Sequence, residues 1–381
     1  MTSKKKGQYF TTNLYLKECV FTLIKNKPTI ILEPSMGQGD LVDYVFHKNN
    51  NYNFDLFEID KTIIPLKTIN KKNIHYCDFL TCNINNTYDT IIGNPPYVKT
   101  TTGNLYIDFI DKCYNLLNNN GELIFIVPSD FIKLTSSAKI INEMMKNGTF
   151  TDIIHPNKEN LFKNASIDII IFRYCKNKNL KKEIFINNEK KYLTNTNGIL
   201  TFSNTKLTNP KKISDYFNVY VGMVTGKESV FKNKDLGNIT VLNGKDKLDR
   251  YILIHELPST YFVNNDINQY LLNHKEELIN RKIRKFTEKN WFEWGALRNY
   301  KTILNNIGKD CIYVNNLTRQ KCVAFQGKVQ YFGGSLLLLI PKKNIELKKV
   351  VNFINSDSFK SNYMYSGRFK IGHKQLSNAL Y

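Results

Sequence analysis

The first half of the chain repeats one arrangement: a strand-length apolar run that stops at a polar, turn-forming motif. Thr29–Leu32 runs into Glu33-Pro34-Ser35-Met36-Gly37-Gln38-Gly39-Asp40, and Phe54–Ile59 ends in Glu58 and Asp60. Ile74–Cys77 stops at Asp78, Tyr88–Ile92 at Gly93-Asn94-Pro95-Pro96-Tyr97, and Leu123–Val127 at Pro128. Asp152–His155 and Ile167–Arg173 close the series. Between these runs, Leu41, Val42, Val45 and Phe46, then Tyr106–Leu117, then Ile140–Met145 carry apolar side chains at helical spacing. Strands alternating with helices predict an α/β fold with a doubly wound, mostly parallel sheet covered on both faces. Such sheets bind ligands beyond the carboxyl ends of their strands. Every polar motif above falls at such an end.

From about residue 176 that rhythm stops. Lys176–Tyr192, rich in Lys and Asn, reads as a boundary or exposed connection. Residues 205–381 show short, irregular apolar runs and aromatics, which predict a separate α+β domain. The expected division is 1–185 and 205–381, and 381 residues suit two domains. Charge divides the same way. Residues 1–200 carry 25 basic and 19 acidic side chains, whereas residues 201–381 carry 29 and 14. A basic second half suits a polyanionic partner; the plainer reading is a solvated surface. No apolar run approaches the roughly 20 residues that a membrane span needs, and no secretory signal is visible behind the basic start. Seven scattered cysteines without a CxxC pair suit a reducing, cytoplasmic compartment and support neither a disulfide framework nor a metal site.

Two motifs carry the chemistry. In Glu33–Asp40, Gly37 and Gly39 allow a tight turn and close approach to a ligand. The third glycine of a dinucleotide fingerprint is missing, so an adenosine ligand without a pyrophosphate fits better. Glu58 is placed to hold ribose hydroxyls, and Asp78 to accept from an adenine amino group. One strand-end carboxylate is commonplace; three at consecutive strand ends are a stronger case. In Asn94-Pro95-Pro96-Tyr97, the prolines stiffen a turn at the mouth of the sheet. The Asn94 side-chain oxygen and the Pro95 carbonyl then form two fixed acceptors for one planar amino group, and Tyr97 offers an aromatic face to its ring. The alternative is a structural Pro-Pro turn capping a buried strand.

These residues resemble the S-adenosylmethionine-dependent DNA adenine-N6 methyltransferases of the gamma arrangement, most closely the Taq-type restriction-modification enzymes. The resemblance implies a Rossmann-like catalytic domain followed by a target recognition domain. Gly7-Gln8-Tyr9-Phe10-Thr11-Thr12 resembles the amino-terminal motif that packs on the methionine part of the cofactor. Glu33, Pro34, Gly37 and Gly39 resemble its cofactor loop, Glu58 its ribose ligand, and Asp78 and Phe79 the pair that binds its adenine. Asn94, Pro95, Pro96 and Tyr97 match the catalytic motif. Leu161-Phe162-Lys163 resembles the segment whose aromatic stacks on the flipped target base, which pairs Phe162 with Tyr97; taken alone, Phe162 reads as a core residue. Looser likeness continues at Val219–Phe231, Trp291–Arg298 and Ser366–Gln375.

The expected substrate is therefore double-stranded DNA, methylated at adenine N6 with base flipping and no metal. The expected setting is the cytoplasm of a bacterium or virus-infected host, with a monomer serving restriction-modification. A cognate restriction endonuclease would be a functional partner outside any physical complex. RNA or protein-glutamine methylation, or a catalytically inactive DNA-binding module, are the alternatives. The basic second half, including Arg281-Lys282-Ile283-Arg284-Lys285, favours DNA. Glu189-Lys190-Lys191 lacks an upstream Pro-Asp partner and does not argue for a nuclease.

Overall fold

The strands form close to where the apolar runs predict them. The computed structural model describes residues 9–101, 103–156, 158, 160–162, 166–258 and 265–381. The first strands are β1 (Ile30–Glu33), β2 (Asn53–Phe57), β3 (Ile74–His75), β4 (Tyr88–Gly93) and β5 (Leu117–Pro128), and all their mutual pairings are parallel. β6 (Thr149–Ile154) and β7 (Ile169–Cys175) follow, and β7 runs antiparallel to both β5 and β6.

Side chains alternate across this sheet, as the two-residue repeat of a strand requires. Leu32, Ile91, Leu123, Phe125 and Val127 join one apolar cluster. Their neighbours Ile31, Ile92, Ile124 and Ile126 join the other. Helices cover both faces. Leu105–Leu116 and Ala138–Asn147 bury Ile110 and Ile141 in the first cluster. Leu14–Leu23 and Asp40–Lys48 bury Val20 and Val45 in the second. We label these helices α1 (Leu14–Leu23), α2 (Asp40–Lys48), α3 (Leu105–Leu116) and α4 (Ala138–Asn147). The expected α/β, Rossmann-like architecture is therefore what the chain forms.

Two local expectations are corrected. Helix α1 was not read from the sequence, although Leu16, Cys19, Val20 and Leu23 make a buried stripe at helical spacing. Its amino end is capped by Asn13, whose side chain accepts from the Leu16 amide. The supposed connection at 176–192 instead enters the sheet as β8 (Glu183–Ile186) and β9 (Glu189–Thr196), followed by β10 (Ile199–Ser203). The whole order is β10-β9-β8-β6-β7-β5-β4-β1-β2-β3. Asn187-Asn188 and Asn197-Gly198 make the two hairpin turns, all four residues at positive φ. Asn and Gly tolerate that conformation, and such two-residue turns match the twist of the strands. What reads as a polar connection is thus a pair of hairpins.

The chain divides into two compact units, residues 1–209 with 365–367, and residues 210–364 with 368–381. Residue 185 lies inside β8, which pairs with β9, so a boundary there would cut through a strand of the sheet.

The second unit holds a four-stranded antiparallel sheet in the order Phe217–Val221, Leu336–Pro341, Asp310–Asn315, Ala324–Lys328. Short helices and a two-stranded ribbon, Ile239–Gly244 paired with Lys247–Tyr251, also belong to this unit. The segments Val219–Phe231 and Trp291–Arg298 meet through a bridge between Val224 and Ala296. Arg281 is buried beside them, 7% exposed, and donates to the carbonyls of Leu278, Thr225, Trp291 and Glu293. Its guanidinium lies over the Phe286 ring. Arg281 therefore holds the unit together and is not a surface cation. Among the described residues, no helix is long and apolar enough to cross a membrane.

Candidate active site

The carboxyl ends of β1, β2, β3 and β4 surround one cleft of about 620 Å³. Its walls include Pro34 and Gly37 after β1, Glu58 after β2, Asp78 and Phe79 after β3, and Asn94 and Pro96 after β4. Sequence separations of up to 62 residues close here because parallel strands all point their carboxyl ends the same way.

The glycine loop is shaped by the strand beside it. Gly37 has φ +58° and Gly39 φ +89°, values that favour glycine. A Cβ at Gly37 would lie 3.0 Å from the Phe10 ring. The Gly37 amide donates to Glu58 Oε2 at 2.9 Å, and the Asp60 amide to Glu58 Oε1 at 2.8 Å. Glu58 thus braces the loop and still lines the cleft. Gly39 caps α2, whose first turn contains Asp40.

Glu33 is buried, at 2% exposure, and accepts from the Ser35 amide. Burial pushes its carboxyl up to about 8, against the pull of that hydrogen bond, and the nearby Glu58 adds to the rise. Burial also raises Glu58 and Asp40. Glu33, Ser35, Gly37, Thr11 and Asn94 share a small recess beside the main cleft. Ser35 Oγ is buried without a hydrogen-bond partner among the described residues. A buried hydroxyl left unpaired in a cleft wall suits a polar ligand.

Asn94 is fixed by both hydrogens of its amide, which go to the Tyr9 carbonyl at 2.8 Å and to Thr11 Oγ1 at 3.0 Å. Its oxygen is thereby turned away to accept, and it takes the Tyr97 hydroxyl at 2.6 Å. Tyr97 OH also lies 3.1 Å from the Ile126 carbonyl. Burial holds the phenol's ionisation well above its ordinary value, so it stays a neutral donor.

The rings of Tyr97 and Phe162 meet edge to face, centroids 6.2 Å apart at 74°. Tyr9 lies 5.4 Å from Tyr97 and 5.7 Å from Phe162. The structure therefore brings Tyr97 and Phe162 together, but without a slot between them. A base sandwiched by two rings needs roughly 7 Å, twice a carbon contact of about 3.5 Å.

Asp78 and Phe79 also reach the cleft. Asp78 accepts from the Leu80 amide, and Phe79, 2% exposed, stacks on Phe109. Gly7, Gln8 and Lys163 lie outside the described residues. The sequence gives Tyr9 only a place in the motif expected to pack on the methionine part of the cofactor, not its hold on Asn94, and it singles out no role for Ser35. Tyr9 sits inside the quoted amino-terminal motif, and Ser35 inside the glycine loop, so the signal was proximity to motif residues.

The Eco57I restriction-modification methylase family model matches residues 11–162. Type II methyltransferase M.HincII of Haemophilus influenzae is 31% identical over 207 residues, 49% of this chain and 40% of that protein. Type II methyltransferase M.MjaIV of Methanocaldococcus jannaschii is 29% identical over 200 residues, 44% of this chain and 65% of that one. The chain spans about two fifths of the length of M.HincII and of its Haemophilus and Acinetobacter counterparts M.HindII and M.AccI. In fold, it resembles the type IIL restriction-modification enzyme MmeI, solved in complex with DNA. That match has a TM-score of 0.60 at 9% identity, over 96% of this chain and 63% of that one. Residues 11–162 thus resemble an Eco57I-type restriction-modification methylase domain.

Proposed function

We propose that the chain is an S-adenosylmethionine-dependent methyltransferase that modifies adenine N6 in duplex DNA, with the target base flipped out. One observation carries this reading. Asn94 lines the same cleft as Gly37, Glu58 and Asp78, with its amide hydrogens committed to Tyr9 and Thr11 so that the oxygen is the accepting end. The matched family and the relatives named as type II methyltransferases support DNA as the substrate and restriction-modification as the setting.

The residues present suit the cofactor. Glu58 and Asp78 are acceptors for an adenosine, and Phe79 is an apolar wall beside them. The recess formed by Thr11, Glu33, Ser35 and Gly37 is polar, glycine-shaped and holds the orphaned Ser35 hydroxyl, which fits the amino-acid end. Pro34 and Gly39 set the course of the loop. When bound, S-adenosylmethionine supplies an electrophilic methyl group. The chain's own work is alignment and hydrogen-bond acceptance.

Asn94 Oδ1 and the Pro95 carbonyl accept the two hydrogens of the target amino group. That draws the nitrogen lone pair out of conjugation. Tyr97 OH, which donates to Asn94 Oδ1 at 2.6 Å, keeps that oxygen oriented until the substrate arrives. For the base to stack, the Tyr97 and Phe162 rings have to part from their edge-to-face contact. Unstacking a base costs a few kcal/mol, and each new aromatic stack returns roughly 1–3 kcal/mol.

The test is transfer of a tritiated methyl group from the cofactor to plasmid DNA, followed by nucleoside analysis. N6-methyladenine in duplex DNA is the expected product. Label on RNA or protein, with none on DNA, would overturn the reading. Single-molecule sequencing of the product gives the methylated context.

A further inference from the structure

The segment that bears Phe162 leaves the sheet at His155, after β6, and returns at Asp168, before β7. Its two ends are tied together by a buried contact. His155 Nε2 lies 2.8 Å from Asp168 Oδ1, with side chains 18% and 1% exposed. Ser129, immediately after β5, donates its hydroxyl to Asp168 Oδ2 at 2.6 Å and its amide to the Asp168 carbonyl at 3.0 Å. The Ser366 amide, in the 365–367 stretch of the same compact unit, also donates to Oδ2, at 3.3 Å. The His155 main chain is held in turn by Asn187, through one hydrogen bond in each direction.

Burial alone would raise the Asp168 carboxyl. The hydrogen bonds from His155 and Ser129 outweigh it and hold the group below its ordinary range, so the clasp is anionic at its centre. A Ser-Asp-His trio invites comparison with a hydrolase. Here serine and histidine bind different oxygens of the aspartate, and the serine hydroxyl donates to the carboxylate. No base receives its proton, so it is not a nucleophile.

β5 links the clasp to the aromatic cluster. The strand supplies the Ile126 carbonyl beside Tyr97 OH, and Ser129 follows three residues later, just past the end of the strand. We infer that His155, Asp168 and Ser129 act as positioning residues that fix the Phe162 segment against Tyr97 and so set how stably a flipped base is held. This rests on the proposed base-flipping reading. It assigns these three residues no contact with substrate or cofactor. A rigid second layer of this kind is what holds a stacking ring in place.

The test uses the full chain and a duplex with 2-aminopurine at the methylated adenine, located first by sequencing. Fluorescence reports the unstacked base. Cofactor affinity, measured by calorimetry, and thermal midpoint are read on the same samples. The variants are His155→Gln, Asp168→Asn and Ser129→Ala, with Phe162→Ala as reference. The expected result is a loss of fluorescence enhancement of at least about five-fold for His155→Gln and Asp168→Asn. Ser129→Ala should show a smaller loss, and cofactor affinity should stay within about two-fold.

If Phe162→Ala lowers the signal and the clasp variants do not, the clasp inference falls while the base-flipping reading stands. If Phe162→Ala leaves the signal intact, Phe162 does not hold the flipped base and the clasp inference falls while base flipping stands; no enhancement with the unsubstituted protein would overturn base flipping itself. Loss of cofactor affinity alongside fluorescence in the clasp variants would mark general structural damage and overturn a positioning role.

Discussion

At the scale of single residues, the site depends on polar groups whose state is set by burial. Asn94 has each amide hydrogen committed, to Tyr9 and to Thr11. We expect Asn94→Ala to lower methyl transfer by about 100-fold or more, as loss of a preorganised polar partner does. DNA binding should be largely unchanged in a salt-matched gel-shift assay. Equal activity in the variant would remove Asn94 from the chemistry. Glu33 makes a different prediction. Its carboxyl is raised to about 8 in the folded chain, above the ordinary range near 4.3. The folded state therefore holds a proton that the unfolded chain releases. Its stabilising share is complete below the unfolded value and is lost as pH climbs towards 8. Glu33→Gln should flatten the fall in stability between pH 5 and 8, by up to about 1.4 kcal/mol per pH unit. Urea unfolding at several pH values checks this, and parallel slopes for both proteins would contradict it. Glu33 and Asn94 were legible in the sequence because each ends a strand. Their states were not, because desolvation and hydrogen-bond partners 83 and 85 residues away come only with the fold.

Among the elements, the amino-terminal edge of the sheet carries a buried charge network opposite the site. Glu122 is fully buried and accepts from Arg173 Nε at 2.7 Å, from the Lys25 and Asn26 amides, and from Thr90 Oγ1. It joins the end of α1 to β4, β5 and β7. Arg173→Met leaves that carboxylate buried without its cation, at a cost of about 3–5 kcal/mol. Lys25→Met removes only the half-exposed pair with Asp152, and should cost no more than about 1 kcal/mol. Denaturant midpoints of the two variants decide the ranking; equal losses would refute the network's role. At this scale the sequence was read well where periodicity was strong, as in β1, β4 and α3. It was read poorly at β8–β10, where the apolar runs Ile184–Ile186 and Ile199–Leu200 are only two or three residues long and β9 between them is mostly polar. Asn197-Gly198 was the available signal, since that dipeptide favours a hairpin turn.

For the whole molecule, the uneven charge survives the division into units. The second unit carries 28 Lys and Arg against 14 Asp and Glu. If its exposed cations neutralise DNA phosphates, affinity should fall steeply with salt. Lys282→Ala and Lys285→Ala, both at exposed positions, should each reduce the salt slope by about 1. Arg281→Ala should instead lower the thermal midpoint, because all its visible bonds go to the unit's own carbonyls. Unchanged slopes for both lysine variants would move the DNA contact elsewhere. The basic run 281–285 shows why charge on paper is not charge on a surface: Arg281 faces inward, and Arg284 pairs with Glu293. By itself, the sequence determined the alternating sheet and the order of polar motifs along it, because strand periodicity and proline stiffness are local properties. Only the tertiary structure decided that Tyr9 and Thr11 anchor Asn94, that Tyr97 and Phe162 meet without a gap, and that His155 and Asp168 close a clasp. Those facts depend on which chain segments exclude water together, and local patterning does not encode that.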